Sequence, residues 1–161
     1  MPYAAISYQP RTWLLILLVA CGVLVPQQTI EAAPNHCAVQ VSPLVFPPYD
    51  PLSPFDAQAR GTVIYNCTQS TPIRVLMAQG VAGSGRRQMN GAGKGLSYNL
   101  FQDAAGEVRW GDGTTSDFYS NMAPPPNVNV VVPFYARIPA QQTHCAAGTY
   151  SDSVVVTIIT F

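Results

Sequence analysis

GTYSDSVVVTIITF, Gly148–Phe161, is the stretch on which the reading of this chain turns. Val, Ile, Thr, Tyr and Phe fill it, the side chains that suit a pleated, half-buried surface, so it is expected to form one long strand. From Val154 onward neither alternate set is polar. Val155, Thr157, Ile159 and Phe161 point one way, and Val154, Val156, Ile158 and Thr160 point the other. A strand apolar on both faces belongs inside a sandwich or beside something that covers it. No later segment of this sequence is available to pair with it. The expectation is therefore either an edge managed by the chain's own fold or an incomplete fold awaiting a strand from another protein.

The opposite end reads as a leader. Arg11 precedes a dense apolar run, Trp13 to Val25, followed by a polar stretch and the small residues Ala32 and Ala33. This is a secretory signal pattern with cleavage after Ala32, giving a signal peptide of residues 1–32 and a domain of residues 33–161. A competing reading takes Leu18-Val19-Ala20-Cys21 as a lipobox, which would make Cys21 the lipidated mature N-terminus of an outer-membrane lipoprotein. Both readings send the protein out of the cytoplasm.

The 129 residues after Ala32 suffice for one domain with a real core. Seven basic and seven acidic side chains remain there, so no basic face is indicated and nucleic acid is not an expected partner. Few charges, 12 glycines and 15 prolines in the whole chain, most of them after Ala32, with abundant β-formers and no helix-period run, indicate an all-β domain rich in turns. Strands are expected at 35–41, resuming at 44–46, then at 61–67, 73–78, 96–102, 108–110 and 127–137, besides the last. A loop is expected over Gln79–Gly95 and another over Ile138–Ala147. About seven strands at this spacing suit an immunoglobulin-like sandwich.

Chemical motifs are weak. Gly91-Ala92-Gly93-Lys94-Gly95 has part of a phosphate-binding pattern, but Gln88 stands at its first glycine and Gly95 at its Ser/Thr. His36 and His144 each adjoin a cysteine, yet adjacent residues in an extended segment point to opposite faces, which defeats a Cys145–His144 catalytic pair. Asp103 and Asp112 lie in turns, where Asp bonds its own backbone. No enzyme, metal site or cofactor is expected. Cys37, Cys67 and Cys145 lie beyond the leader. In an oxidising compartment such residues pair, and an odd count leaves one over or implies an intermolecular bond.

Several stretches then converge in order: Cys37 with Leu44-Val45-Phe46 and Tyr49-Asp50-Pro51-Leu52, Gly61-Thr62-Val63 leading to Cys67-Thr68, and Arg87-Gln88-Met89. They continue with Tyr98-Asn99-Leu100-Phe101-Gln102-Asp103, Trp110-Gly111-Asp112-Gly113-Thr114, Tyr135 to Gln141, and Gly148-Thr149-Tyr150-Ser151-Asp152. This series resembles the spore coat protein U domain family, which includes subunits of archaic chaperone–usher pili. The resemblance implies an immunoglobulin-like, pilin-type sandwich lacking its final strand. It also implies a periplasmic chaperone that lends a strand, an outer-membrane usher, and neighbouring subunits whose N-terminal segments replace the chaperone's strand. It implies a Cys37–Cys67 disulfide and leaves Cys145 without a partner in the pattern: free, bridging to another chain, or paired with Cys21 where that residue is retained without lipid.

Val154, Val156 and Ile158, with Phe161 from the other face, are the expected lining of the acceptor groove. A donor segment needs roughly ten residues before the first strand, at about 3.3 Å per residue. Cleavage after Ala32 leaves only Ala33–His36 before Cys37, the length of a terminal subunit that accepts a strand and gives none. A start at Cys21 would instead free Gly22–His36 as donor, with Val23, Val25 and Ile30 as anchors. The alternative function is a self-complete extracellular carbohydrate-binding module that uses Trp110 and the Gln79–Gly95 loop.

Overall fold

The computed structural model describes residues 34–79 and 87–161. The expected signal peptide, its cleavage site and Cys21 lie outside the described residues. Nine strands are present among those described: β1 Cys37–Val41, β2 Ala57–Cys67, β3 Ile73–Met77, β4 Arg87–Gly93, β5 Leu96–Phe101, β6 Tyr119–Asn121, β7 Val130–Ile138, β8 Cys145–Ser151 and β9 Val156–Thr160. They form two antiparallel sheets, one ordered β1-β2-β7-β5-β4-β8 and the other β6-β3-β9. This is the expected all-β, immunoglobulin-like sandwich, with nine strands in place of about seven.

Period-two alternation builds the core. Val63, Tyr65 and Cys67 of β2 turn inward beside Val132, Phe134, Ala136 and Ile138 of β7 and Leu96, Tyr98 and Leu100 of β5. Ile73, Val75 and Met77 of β3 meet them from the second sheet. Gly61 sits opposite Phe134, whose ring lies so close that a Cβ at Gly61 would fall 2.3 Å from Cζ. The missing side chain thus makes room for the ring that fills the sheet's inner surface.

Trp110 is fully buried, donates its indole N–H to the Val75 carbonyl at 2.8 Å and packs edge-on against Phe134. Arg87, at 2% exposure, sends its guanidinium across the interior. Its Nε donates to Ala78 O at 3.0 Å, and its Nη2 to Met77 O and Trp110 O at 2.8 and 2.9 Å. Burial pulls its pKa below the ordinary arginine value, and the three carbonyls offset that desolvation. Cys37 and Cys67, opposite each other in the β1–β2 ladder, form a disulfide that closes a loop of sequence separation 30. Loop entropy alone makes such a closure worth about 3–4 kcal/mol.

Four expectations are corrected. The terminal stretch is not one strand: β8 pairs with β4 in the large sheet and β9 with β3 in the small one. The ladder to β4 ends at Ser151, Ser153 N turns to the Asp152 carboxylate, and Val155 O is taken by Ala78 N beyond β3. Nor are both faces of β9 covered, since Val155 is 66% exposed, Ile159 38% and Phe161 62%. The expected Gln79–Gly95 loop contains β4, in register with β5 from Arg87↔Tyr98 to Met89↔Leu96, and residues 80–86 lie outside those described. Finally, 44–46 and 108–110 are not ladder strands. The former joins no ladder, and the latter makes only a Phe101–Arg109 bridge.

Trp110→Ala removes the largest fully buried side chain and leaves the Val75 carbonyl without its donor. The expected loss is about 3–5 kcal/mol in urea denaturation of the folded protein. A change under about 1 kcal/mol would contradict this placement of the indole.

Candidate strand-acceptor groove

The first wall is built by the segment that follows β1. Ser42 closes against β2, its N–H donating to Thr62 O and its Oγ accepting from Thr62 N, both at 2.9 Å. Pro43, Pro47 and Pro48 carry no N–H and keep the segment out of a ladder. Leu44, Phe46 and Tyr49 turn inward, with Phe46 edge-on to Tyr98 at 6.1 Å between ring centroids. The Tyr49 hydroxyl donates to Pro139 O at 2.8 Å and accepts from Gln142 N at 2.9 Å. Buried Gln142 in turn bonds both the N–H and the C=O of Ser97. These bonds tie the wall to β5 and to the loop after β7.

The second wall is the stretch from β8 into β9. β8 is one edge of the large sheet and β9 one edge of the small sheet, so among the described residues each is paired on one side only. Between the walls lies a cavity of about 840 Å³, lined on one side by Val41 to Pro51 and on the other by Cys145 to Val156. Met77, Met89, Leu96, Leu100, Phe134 and Ile138 form its apolar floor.

The expected groove residues fall in three places. Val154 and Val156 line the cavity. Ile158 is half-buried against the core further along β9 and does not line it. Phe161 does not line it either; its ring lies on the outer side, against Arg74, which stacks between Phe118 and Phe161 at 4.4 and 4.7 Å to the ring centroids. Sequence reading missed the floor and the whole 41–51 wall. The apolar Leu44 and Phe46 in alternation, followed by Tyr49 after two prolines, were the available signal.

Cys145 lines the groove as a free, half-buried thiol, and burial pushes its pKa up, away from the reactive thiolate. Tyr98 donates its hydroxyl to Asp152 Oδ2 at 2.8 Å, where the carboxylate forms part of the groove wall. Trp110, the platform of the carbohydrate-binding alternative, offers no face to a sugar because it is fully buried. Asp103 accepts from the Val108 and Glu107 N–H groups and Asp112 from Thr114, and these bonds hold both carboxyls below the usual range. The Gly91–Gly95 stretch is largely strand. Gly91 lies opposite Tyr150, and a Cβ there would meet Thr149 O and the Tyr150 ring.

A two-sheet antiparallel sandwich with an apolar cleft beside two sheet edges defines the structural class. The family comparison gives it a place: the Spore Coat Protein U domain model matches residues 26–157, and the chain belongs to that family. A chain in a crystal structure from Acinetobacter baumannii has the same fold, with a TM-score of 0.58 at 22% identity. That structure is the CsuC–CsuE chaperone–tip adhesion subunit pre-assembly complex of archaic chaperone–usher Csu pili. The likeness covers 80% of this chain and 40% of that one, so the chain spans well under half of its length. No curated protein matches.

The phenols supply a pH test. Burial first, then the bond to Asp152, raises the Tyr98 pKa, and burial with the Tyr65 hydroxyl pushes Tyr119 up to about 12. Both favour the neutral phenol in the folded state. Their stabilisation is therefore fully present below the unfolded value of about 10 and is lost as pH climbs through the folded values. Tm is expected to fall steeply above pH about 10, and less steeply in Tyr98→Phe. Equal slopes in the two proteins would contradict the assignment to Tyr98.

Proposed function

We propose that this protein is a secreted structural or adhesive subunit of a chaperone–usher surface pilus or coat, assembled by donor-strand complementation. One observation carries the reading: the apolar cleft between residues 41–51 and 145–156, with β8 and β9 each unpaired along one edge among the described residues. Apolar surface and unpaired strand edges side by side are the two things that strand addition satisfies together, main-chain bonds giving affinity and alternate side chains giving specificity. Family membership and the fold shared with a chain of a chaperone–subunit complex support the same reading.

The partners are a periplasmic chaperone that fills the cleft first, an outer-membrane usher, and neighbouring subunits that replace the chaperone's strand. The route runs through the periplasm to the cell surface. Val154 and Val156 are the contacts from the β8–β9 wall, with Ile158 continuing the same alternate face. A mature start at Ala33 makes this a terminal subunit, whereas a start at Cys21 leaves Gly22–His36 as its donor strand.

Periplasmic expression with and without its chaperone tests the proposal. Alone, the domain is expected to aggregate or be degraded through its open cleft. With the chaperone it should be recovered as a soluble complex, and Val156→Arg, which puts a charge on the cleft wall, should abolish that recovery. Equal recovery of soluble protein from the periplasm with and without the chaperone, or recovery with the chaperone that Val156→Arg leaves unchanged, would overturn the reading.

A further inference from the structure

The cleft is not uniformly apolar. Of the described residues that line it, Asp152 alone carries a formal charge. It sits where the chain leaves β8 for β9, and it shares an alternate set with Val154 and Val156. Its Oδ2 accepts from Tyr98 Oη and its Oδ1 from Ser153 N, each at 2.8 Å. A carboxylate offers about four acceptor sites, so two are left for water. Among the described residues no cation forms an ion pair with it: the ion pair among them, Arg137–Asp56, involves no residue of the cleft lining. The charge of Arg87 acts on Asp152 from a distance, but its donated hydrogens go to the carbonyls of Met77, Ala78 and Trp110.

We infer that Asp152 selects the strand that fills the cleft: that strand carries one Lys or Arg on its inward-facing set, opposite the β8–β9 crossover, in an otherwise apolar series. The inference rests on the strand-acceptor reading. A strand lying in the cleft displaces the water from the two open acceptor sites. A buried carboxylate stripped of solvent without a new donor is strongly unfavourable. A methyl-bearing side chain at that position would impose this cost, whereas an ammonium or guanidinium converts it into a charge-assisted hydrogen bond. The rest of the described lining offers a cation no second carboxylate, only apolar side chains, aromatic rings and hydroxyls, so a basic residue at any other inward position is held less well. Asp152 therefore sets register as well as partner choice, since one basic side chain finds its carboxylate at a single offset.

The test uses the mature chain and synthetic strand peptides of about ten residues, the span of a typical strand. The parent peptide alternates Val with Thr, and each inward Val is replaced in turn by Lys. Binding is read by peptide-assisted refolding and thermal shift. One Lys register is expected to bind about tenfold more tightly than the parent, the others more weakly. Norleucine at the favoured position should abolish the gain, and so should Asp152→Asn, which keeps an acceptor for Tyr98 but removes the charge. If the parent binds and no Lys register improves on it, or the preference survives in Asp152→Asn, the inference falls while the strand-acceptor reading stands. If no peptide binds or aids refolding, the strand-acceptor reading falls and takes this inference with it.

Discussion

The structure depends on one constraint: its apolar interior is bounded on one flank by strand edges that, among the described residues, have no neighbours. A sandwich closes when every inward side chain meets another and every ladder group is paired. Here the large sheet ends at β8, the small sheet at β9, and the proline-bearing segment after β1 runs alongside without joining either. The cleft between them reaches down to Phe134 and Leu100, the centre of the core. The same groups that stabilise the fold from within are therefore what an incoming strand would touch.

Much of the remaining architecture holds that cleft in shape. The disulfide pins β1 to β2 at one end of the wall, and the Ser42–Thr62 bonds pin the segment that follows. Tyr49 and Gln142 fasten its far end to β5 and the loop after β7. On the other side, Arg87 binds the start of β4 to the end of β3 and to Trp110. The first wall is thus held by part-buried hydrogen bonds, and β4, the partner of β8 in the second, by the bonds of Arg87, while the cleft between them is apolar but for its Asp152–Tyr98 end. A preformed site of this kind spends less of its binding energy on ordering.

The sandwich was legible in the sequence because alternation and turn chemistry are local. Val63, Tyr65 and Cys67 announced one buried face of β2, and the Asp103–Gly106 turn appears with Gly106 at a φ of 75°. The crossover between β8 and β9 was not legible. Val, Ile, Thr, Tyr and Phe dominate Gly148–Phe161, and the one local sign of a break, Ser151-Asp152-Ser153, does not say that the partner changes from β4 to β3. β4 was hidden because Gly91 is a packing device there, needed for the close approach of β8, and not a loop residue. The outward Val155 and Phe161 suggested a covered face because composition does not distinguish a buried apolar side chain from an exposed one. The site was legible in part: Val154 and Val156 line the cleft, but its floor comes from four strands distant in sequence, which no local pattern assembles.

Hydrogen–deuterium exchange on the exported protein, free and bound to a strand-donating partner, tests the central claim most directly. In the free protein the amides of 42–49 and 145–160 should exchange far faster than those of β2 and β7, and both segments should become protected together when the partner binds. If the two segments are already as protected as β2 and β7 in the free monomer, the cleft is not an open strand site and the account is wrong.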